Sequence, residues 1–274
     1  MATLLIGYDV EVQDPSSDIT KKFLRTAPKL HSELEAPCTL FICGRTLENN
    51  IEEFQRVKEG WGDVMDFEQH TYSHVPLKTV VEDSVRGFRV VKGGSLEQIR
   101  EEVERTSELL RRHLGVECIG ITGPNCYYRG LMDRPDVLEV LYQAGIRFTR
   151  TYGRNEKDFQ PVPFEVQPFW YEPQGFPDIL ECPVQGWQDC IWRGVYGWEK
   201  KDDYLKMLRD NVDYIVEHDL VWGYASHDWS SLREDPDMDI IRNLIEYAKK
   251  RGVRLMSYRQ YYQEALRMRP NIPS

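Results

Sequence analysis

The chain has 274 residues, 41% of them hydrophobic and 12% aromatic, and carries a formal net charge of −10. Such content belongs to a folded globular protein rather than a disordered one, and the length suits a single α/β barrel domain over residues 1–274. The acidic balance argues against a nucleic-acid partner, whose phosphates need a basic face, and no basic amphipathic stretch suggests a membrane surface.

The apolar start, Met1 to Tyr8, is too short and lacks the positive charge of a signal peptide. No run is long enough to span a bilayer, so a cytoplasmic location is expected. The six cysteines (38, 43, 118, 126, 182 and 190) show no close Cys-x-x-Cys pair. Several lie in apolar strand-like runs, which points to buried free thiols rather than a disulfide framework.

In chain order, Thr3 to Gly7 reads as a buried parallel strand, and Tyr8-Asp9-Val10-Glu11 places two carboxylates at its end. Asp18 is expected to cap a helix over Ile19 to Leu34. Thr39 to Cys43 is a second strand ended by Gly44, and Leu47 to Glu59 a helix closed by Gly60. Val64 to Phe67 is a third strand, delivering His70-Thr71-Tyr72-Ser73-His74. Histidines four apart share one face of a helical turn, where both imidazoles reach one metal ion.

From Val75 to Ser95, Pro76, Gly87 and Gly93-Gly94 mark a long loop. Ser95 caps a helix with Ile99, Val103, Leu109 and Leu110 on one stripe. Cys118 to Ile121 is a strand followed by Thr122-Gly123-Pro124-Asn125. A helix over Asp136 to Ala144 and a strand over Ile146 to Thr149 come next. Tyr152 to Pro177 is an irregular, proline-rich and aromatic excursion. Strands at Ile179 to Cys182, Leu220 to Tyr224 and Val253 to Met256 alternate with helices at Asp203 to Glu217, Met238 to Lys250 and Tyr258 to Arg267.

Seven or eight strands alternating with helices mean parallel strands with helical crossovers, hence a barrel or a doubly wound sheet. Asp9, Glu11, His70, His74 and His227 all fall at or just after strand ends, where a barrel gathers its catalytic residues. That coincidence favours a barrel with a metal site at one mouth. Taken singly, the two carboxylates read as ordinary loop residues and His227 as a structural histidine. Trp187, Trp192, Trp198 and Trp229 offer faces for stacking on a sugar ring or for core packing.

These residues resemble the polysaccharide deacetylases, the NodB-homology domain of the family-four carbohydrate esterases. Thr39 to Gly44 resembles the family's second strand, and His70 to His74 is very close to its His-Ser/Thr-x-x-His motif. Leu131-Met132-Asp133-Arg134-Pro135 with Gly145-Ile146 resembles the stretch after the third motif, and Ser226-His227-Asp228-Trp229 resembles the last. The resemblance implies a distorted (β/α)7–8 barrel and a divalent metal, zinc being the expected ion, held by Glu11, His70 and His74. It also implies Asp9 as catalytic base and His227 as the acid that protonates the leaving amine. Exchange of roles between Asp9 and Glu11 stays open. Pro124, Asn125, Trp187 and Trp229 are the candidate substrate contacts, and Asp189 or Asp228 would orient His227.

Two departures mark the chain. Val10 separates the two carboxylates, which are adjacent in most of the family, and Thr122 stands where the family has an arginine that orients the base. The implied activity is hydrolysis of a C–N amide bond, in first place N-deacetylation of an N-acetylated sugar or cell-wall-related glycan. The alternatives are a cytosolic cyclic-amide hydrolase of the allantoinase or imidase type and a catalytically silent carbohydrate-binding relative. The expected partner is a small-molecule or oligosaccharide substrate; a homo-oligomer stays open.

Overall fold

Runs of buried side chains alternate with amphipathic ones along the chain. The computed structural model, which describes residues 1–84 and 87–269, folds that alternation into a distorted α/β barrel. The elements are β1 (Thr3–Val10), α1 (Ile19–Glu33), β2 (Cys38–Ile42), α2 (Gly44–Asn49), α3 (Ile51–Trp61), β3 (Met65–Gln69), β4 (Val80–Ser84) and β5 (Gly87–Val91). There follow α4 (Leu96–Leu114), β6 (Gly120–Tyr128), α5 (Pro135–Gln143), β7 (Phe148–Arg154), β8 (Phe169–Tyr171), β9 (Phe176–Glu181) and α6 (Asp189–Tyr196). The chain closes with α7 (Lys201–His218), β10 (Val221–His227), α8 (Asp228–Leu232), α9 (Asp239–Lys250), β11 (Arg254–Met256) and α10 (Tyr258–Met268).

The main sheet runs β10-β1-β2-β3-β6-β7-β9-β8, with β11 also pairing β1; every pairing is parallel except that of β8 with β9. β1 is buried along its whole length, as a central strand covered on both faces must be. Leu4, Ile6 and Tyr8 join the large apolar cluster, whereas Leu5 packs with Phe41, Phe148, Leu180 and Tyr258 in a separate one. The alternation of β1 therefore serves two cores, one on each face of the sheet.

Among the described residues no strand ladder joins β10 to the far edge of the sheet. Two glutamine side chains span that seam instead. Gln167 donates to the Val221 carbonyl at 3.0 Å and accepts from the Val221 N–H at 2.8 Å. Gln185 donates to the same carbonyl at 3.2 Å and accepts from Gly223 N–H at 2.7 Å. Their amides give the edge of β10 the partners that a neighbouring strand would otherwise supply.

Several local expectations are corrected by tertiary contacts. The helix expected over 47–59 is two helices, broken at Asn50, whose side chain donates to Thr46 carbonyl at 2.8 Å. Asp18 makes no side-chain cap and pairs with Lys22 at 2.9 Å, whereas Ser95 does cap α4 by accepting from Gln98 N–H. The loop expected from Val75 to Ser95 contains the antiparallel β4–β5 hairpin. The excursion from Tyr152 to Pro177 contributes β8. The short helices α6 and α8, which have no extended apolar stripe, were not expected. All six cysteines are free, and Cys190 is the only one not fully buried. No described helix is long and apolar enough to cross a membrane.

Candidate active site

The parallel register sets Asp9 of β1 directly opposite His227 of β10, so residues 218 positions apart share the C-terminal mouth of the barrel. Glu11 leaves β1 and His70 leaves β3 at the same end. The histidine segment is not the helical turn that its spacing suggested. Thr71 and His74 have φ of 57° and 65°, in the left-handed region. The carbonyls of Thr71 and Tyr72 are taken by the N–H groups of Gly44 and Arg45 at the start of α2, at 3.0 and 2.9 Å. Ser73 is held through its N–H and hydroxyl by Glu102, both at 2.6 Å. With those groups committed outward, the segment lacks the i to i+4 bonds of a helix and becomes a pinned loop. Gly44 permits the close approach: a Cβ there would lie 2.6 Å from the Tyr72 ring.

The pinned loop points both imidazoles at Glu11. Its Oε2 lies 3.3 Å from His70 Nε2 and 3.0 Å from His74 Nε2. Tetrahedral ligands bound at ~2.0–2.2 Å stand roughly 3.4 Å apart, which is close to these spacings. His70 Nδ1 donates to Thr122 carbonyl at 3.0 Å, which leaves Nε2 as the lone-pair nitrogen. That Nε2 is buried and has no hydrogen-bond partner. A buried, unpaired nitrogen facing a carboxylate oxygen is costly unless a cation lies between them, so the donor set fits a divalent metal. Burial pushes the Glu11 carboxyl up, but the positive charge of His227 and the two imidazoles outweigh it and hold Glu11 well below the usual range. Trp229 Nε1 donates to the other Glu11 oxygen at 3.0 Å, and Asp228 accepts from the Glu11 N–H.

Asp9 lies beside this cluster. Its Oδ2 stands 3.9 Å from both His70 Nε2 and His227 Nε2, while its Oδ1 is engaged by the guanidinium of Arg150. Arg150 comes from β7, where it is register partner of Thr122 on β6. It is fully buried, donates through Nε to Thr122 hydroxyl at 3.1 Å and stacks over Phe41 at 4.5 Å. Gly7 makes room for it, since a Cβ there would lie 3.0 Å from Phe41 and 3.1 Å from Arg150 Nη1. The arginine absent from position 122 is thus supplied to Asp9 by the adjacent strand. A lone arginine among the β-branched residues Thr149 and Thr151 was the sequence signal for it.

The structure chooses Asp189, not Asp228, as the partner of His227: Asp189 Oδ1 lies 2.8 Å from Nδ1. Asp189 also accepts from Ser226 at 2.7 Å, from Ser230, and from the N–H of Cys190 at 2.5 Å. Burial lowers the His227 pKa, but Cys190 and the Asp189 carboxylate raise it, and it ends well above its usual value. Asp228 turns instead to the Thr20 hydroxyl at 2.6 Å, and burial pushes it up to about 7.

These groups open into a cavity of about 180 Å³, below the ~300–1,000 Å³ common for drug-sized ligands. Asn125 and Trp229 line it; Pro124 and Trp187 do not. Trp187 packs edge-on against Phe159 and Tyr196. Glu82 and Arg89 of the β4–β5 hairpin and Arg154 of β7 add charged walls, with Arg89 Nε 3.0 Å from Glu82. Those wall residues lie in segments read as loop or without periodicity, so sequence reasoning missed them.

A parallel barrel that gathers a carboxylate and two histidines at its C-terminal mouth belongs to the α/β barrels with a group of side chains there that could hold a metal ion. The chain belongs to the polysaccharide deacetylase family, whose sequence profile matches residues 13–149. No curated protein sequence matches it. The fold is shared with a Mycobacterium smegmatis protein assigned to the polysaccharide deacetylases, at 17% identity and a TM-score of 0.69, over 99% of this chain and 94% of that one. A Pseudomonas aeruginosa PAO1 protein of the same assignment gives 14% identity and 0.70, over 99% and 92%. PuuE allantoinase gives 16% and 0.65, over 99% and 91%.

Proposed function

We propose that the protein is a divalent-metal-dependent hydrolase of a C–N amide bond in a small substrate, with an N-acetylated sugar unit as the first reading. The observation that carries this is the buried, unpartnered His70 Nε2 facing Glu11 Oε2. Glu11, His70 and His74 would hold the ion, and zinc suits an imidazole and carboxylate set. When bound, a divalent cation polarises the amide carbonyl and makes the attacking water more acidic. Arg150 fixes one Asp9 oxygen and leaves the other facing the cavity, placed to take the proton of that water. His227, aligned by Asp189, presents its opposite nitrogen to the leaving amine and gives it a proton.

A cyclic amide is the second reading. It is favoured by the walled cavity, which admits a compact ring more readily than a chain threaded through an open groove. Metal-loaded protein is to be assayed for acetate release from N-acetylglucosamine oligomers and for ring opening of allantoin and hydantoin. Acetate release supports the first reading and ring opening the second. Turnover of neither class, with metal bound, overturns the hydrolase reading.

Arg150 provides an internal check. Arg150→Met is expected to lower kcat by roughly 100-fold, the cost of misplacing a reacting group by about 1 Å, with little change in KM. The exchange variant, Thr122→Arg with Arg150→Thr, is expected to recover part of that loss by returning a guanidinium to Asp9 from the neighbouring strand. Unchanged kcat in Arg150→Met would remove the arginine from the mechanism.

A further inference from the structure

The cavity holds a second set of donor atoms beside the Glu11, His70 and His74 cluster. Cys190 Sγ, a ring nitrogen of His227 and a carboxylate oxygen of Asp189 lie within 4.8 Å of one another, and Cys190 and His227 both line the cavity. Asp189 is the poorest ligand of the three. Its oxygens already accept from His227, Ser226, Ser230 and the Cys190 N–H. The thiol and the imidazole set the preference of the three, a pair that selects zinc or cobalt(II) over magnesium or calcium.

The two sets differ in how they are prepared. At the first, His70 is fixed by the Thr122 carbonyl and Glu11 by Trp229 and Asp228, so the donors are held in place. At the second, Cys190 is half-buried on the first turn of α6 and its thiol is already paired with the His227 ring, a contact that an ion has to displace. The second set is therefore the weaker binder, and takes up ion at higher concentration than the first.

We propose that Cys190, His227 and Asp189 form a second, weaker site for a thiophilic divalent cation, and that filling this site stops the reaction. Binding is an exchange of cation for protons. The thiol proton and one imidazole proton are lost to solvent, and S–metal and N–metal bonds replace the S–H and N–H bonds with no change in oxidation state. The inhibition rests on the hydrolase reading, because an imidazole that carries the ion has given up the proton that His227 would hand to the leaving amine. The site itself does not. Activity is then expected to rise and later fall as zinc is added.

The test is titration of chelator-stripped full-length protein with cobalt(II), followed by absorption. The first cobalt is expected to enter without sulfur ligation, and further cobalt to bring the near-ultraviolet thiolate-to-cobalt absorption. Cys190→Ser should lose that absorption and keep the first uptake. His74→Ala should lose the first uptake and keep the absorption, which separates failure of this site from failure of the hydrolase reading. Absence of thiolate absorption at saturating cobalt in the unmodified protein, or its persistence in Cys190→Ser, overturns the proposal. A measurement independent of variant folding uses iodoacetamide labelling of Cys190, followed by mass spectrometry of the unmodified protein. Zinc beyond the first equivalent should slow the labelling, and an unchanged rate overturns the site.

Discussion

Alanine at position 74 is expected to leave the folded chain unable to retain a divalent cation through dialysis. His74 Nε2 lies 3.0 Å from Glu11 Oε2, and the ring sits 4.8 Å from that of His70 at 79°. Removing it leaves one imidazole and one carboxylate, too few for a zinc site, which needs about three protein ligands. Losing even a supporting partner of a ligand typically costs 10–100-fold in affinity, so loss of a ligand should exceed that. The fold should survive, because the side chain is about one-third exposed and the loop is anchored through Thr71, Tyr72 and Ser73. Metal content by mass spectrometry and thermal unfolding, measured on the same sample, check this. Full metal retention with full turnover would show that the donors lie elsewhere.

His227→Ala is expected to keep the cation and lose turnover by roughly two to four powers of ten, the usual worth of general-acid help. His227 is not among the atoms around Glu11 Oε2, which is why binding and turnover should separate. Its pKa stands above the usual imidazole value, where burial opposes and Cys190 with Asp189 prevails. A group with a raised pKa stays protonated to higher pH, so an acid of this kind keeps its activity until the pH passes that value. The alkaline limb of the rate profile should therefore belong to His227 and vanish in the variant. Substrates whose leaving amine is already activated should suffer less. A rate within a few-fold of the unmodified protein would exclude the residue as the acid.

Legibility followed the range of the interactions concerned. Strand and helix order could be read because burial periodicity is a local signal, and Ser95 because a cap needs only its own helix. The break at Asn50 was missed because continuous helix propensity does not register a side chain turning back to Thr46. The histidine pair was recognised through a spacing argument whose geometry proved different. The residues meet, but on a loop pinned by α2 and Glu102, since backbone partners from other elements outbid the helical ones. Trp229, expected as a stacking face, also donates its indole N–H to Glu11.

By itself the amino-acid sequence determined the alternation of strands and helices, the resemblance to the deacetylases, and which side chains at strand ends were worth testing. These follow from residue type and spacing along one chain. Only the tertiary structure decided that Asp189 rather than Asp228 holds His227, and that Arg150 answers for the arginine missing at 122. It also decided that Cys190 joins His227 in the cavity. Each of these is a contact between strands or helices distant in sequence, fixed by parallel register and barrel closure, and no local pattern in the chain encodes which distant side chain arrives.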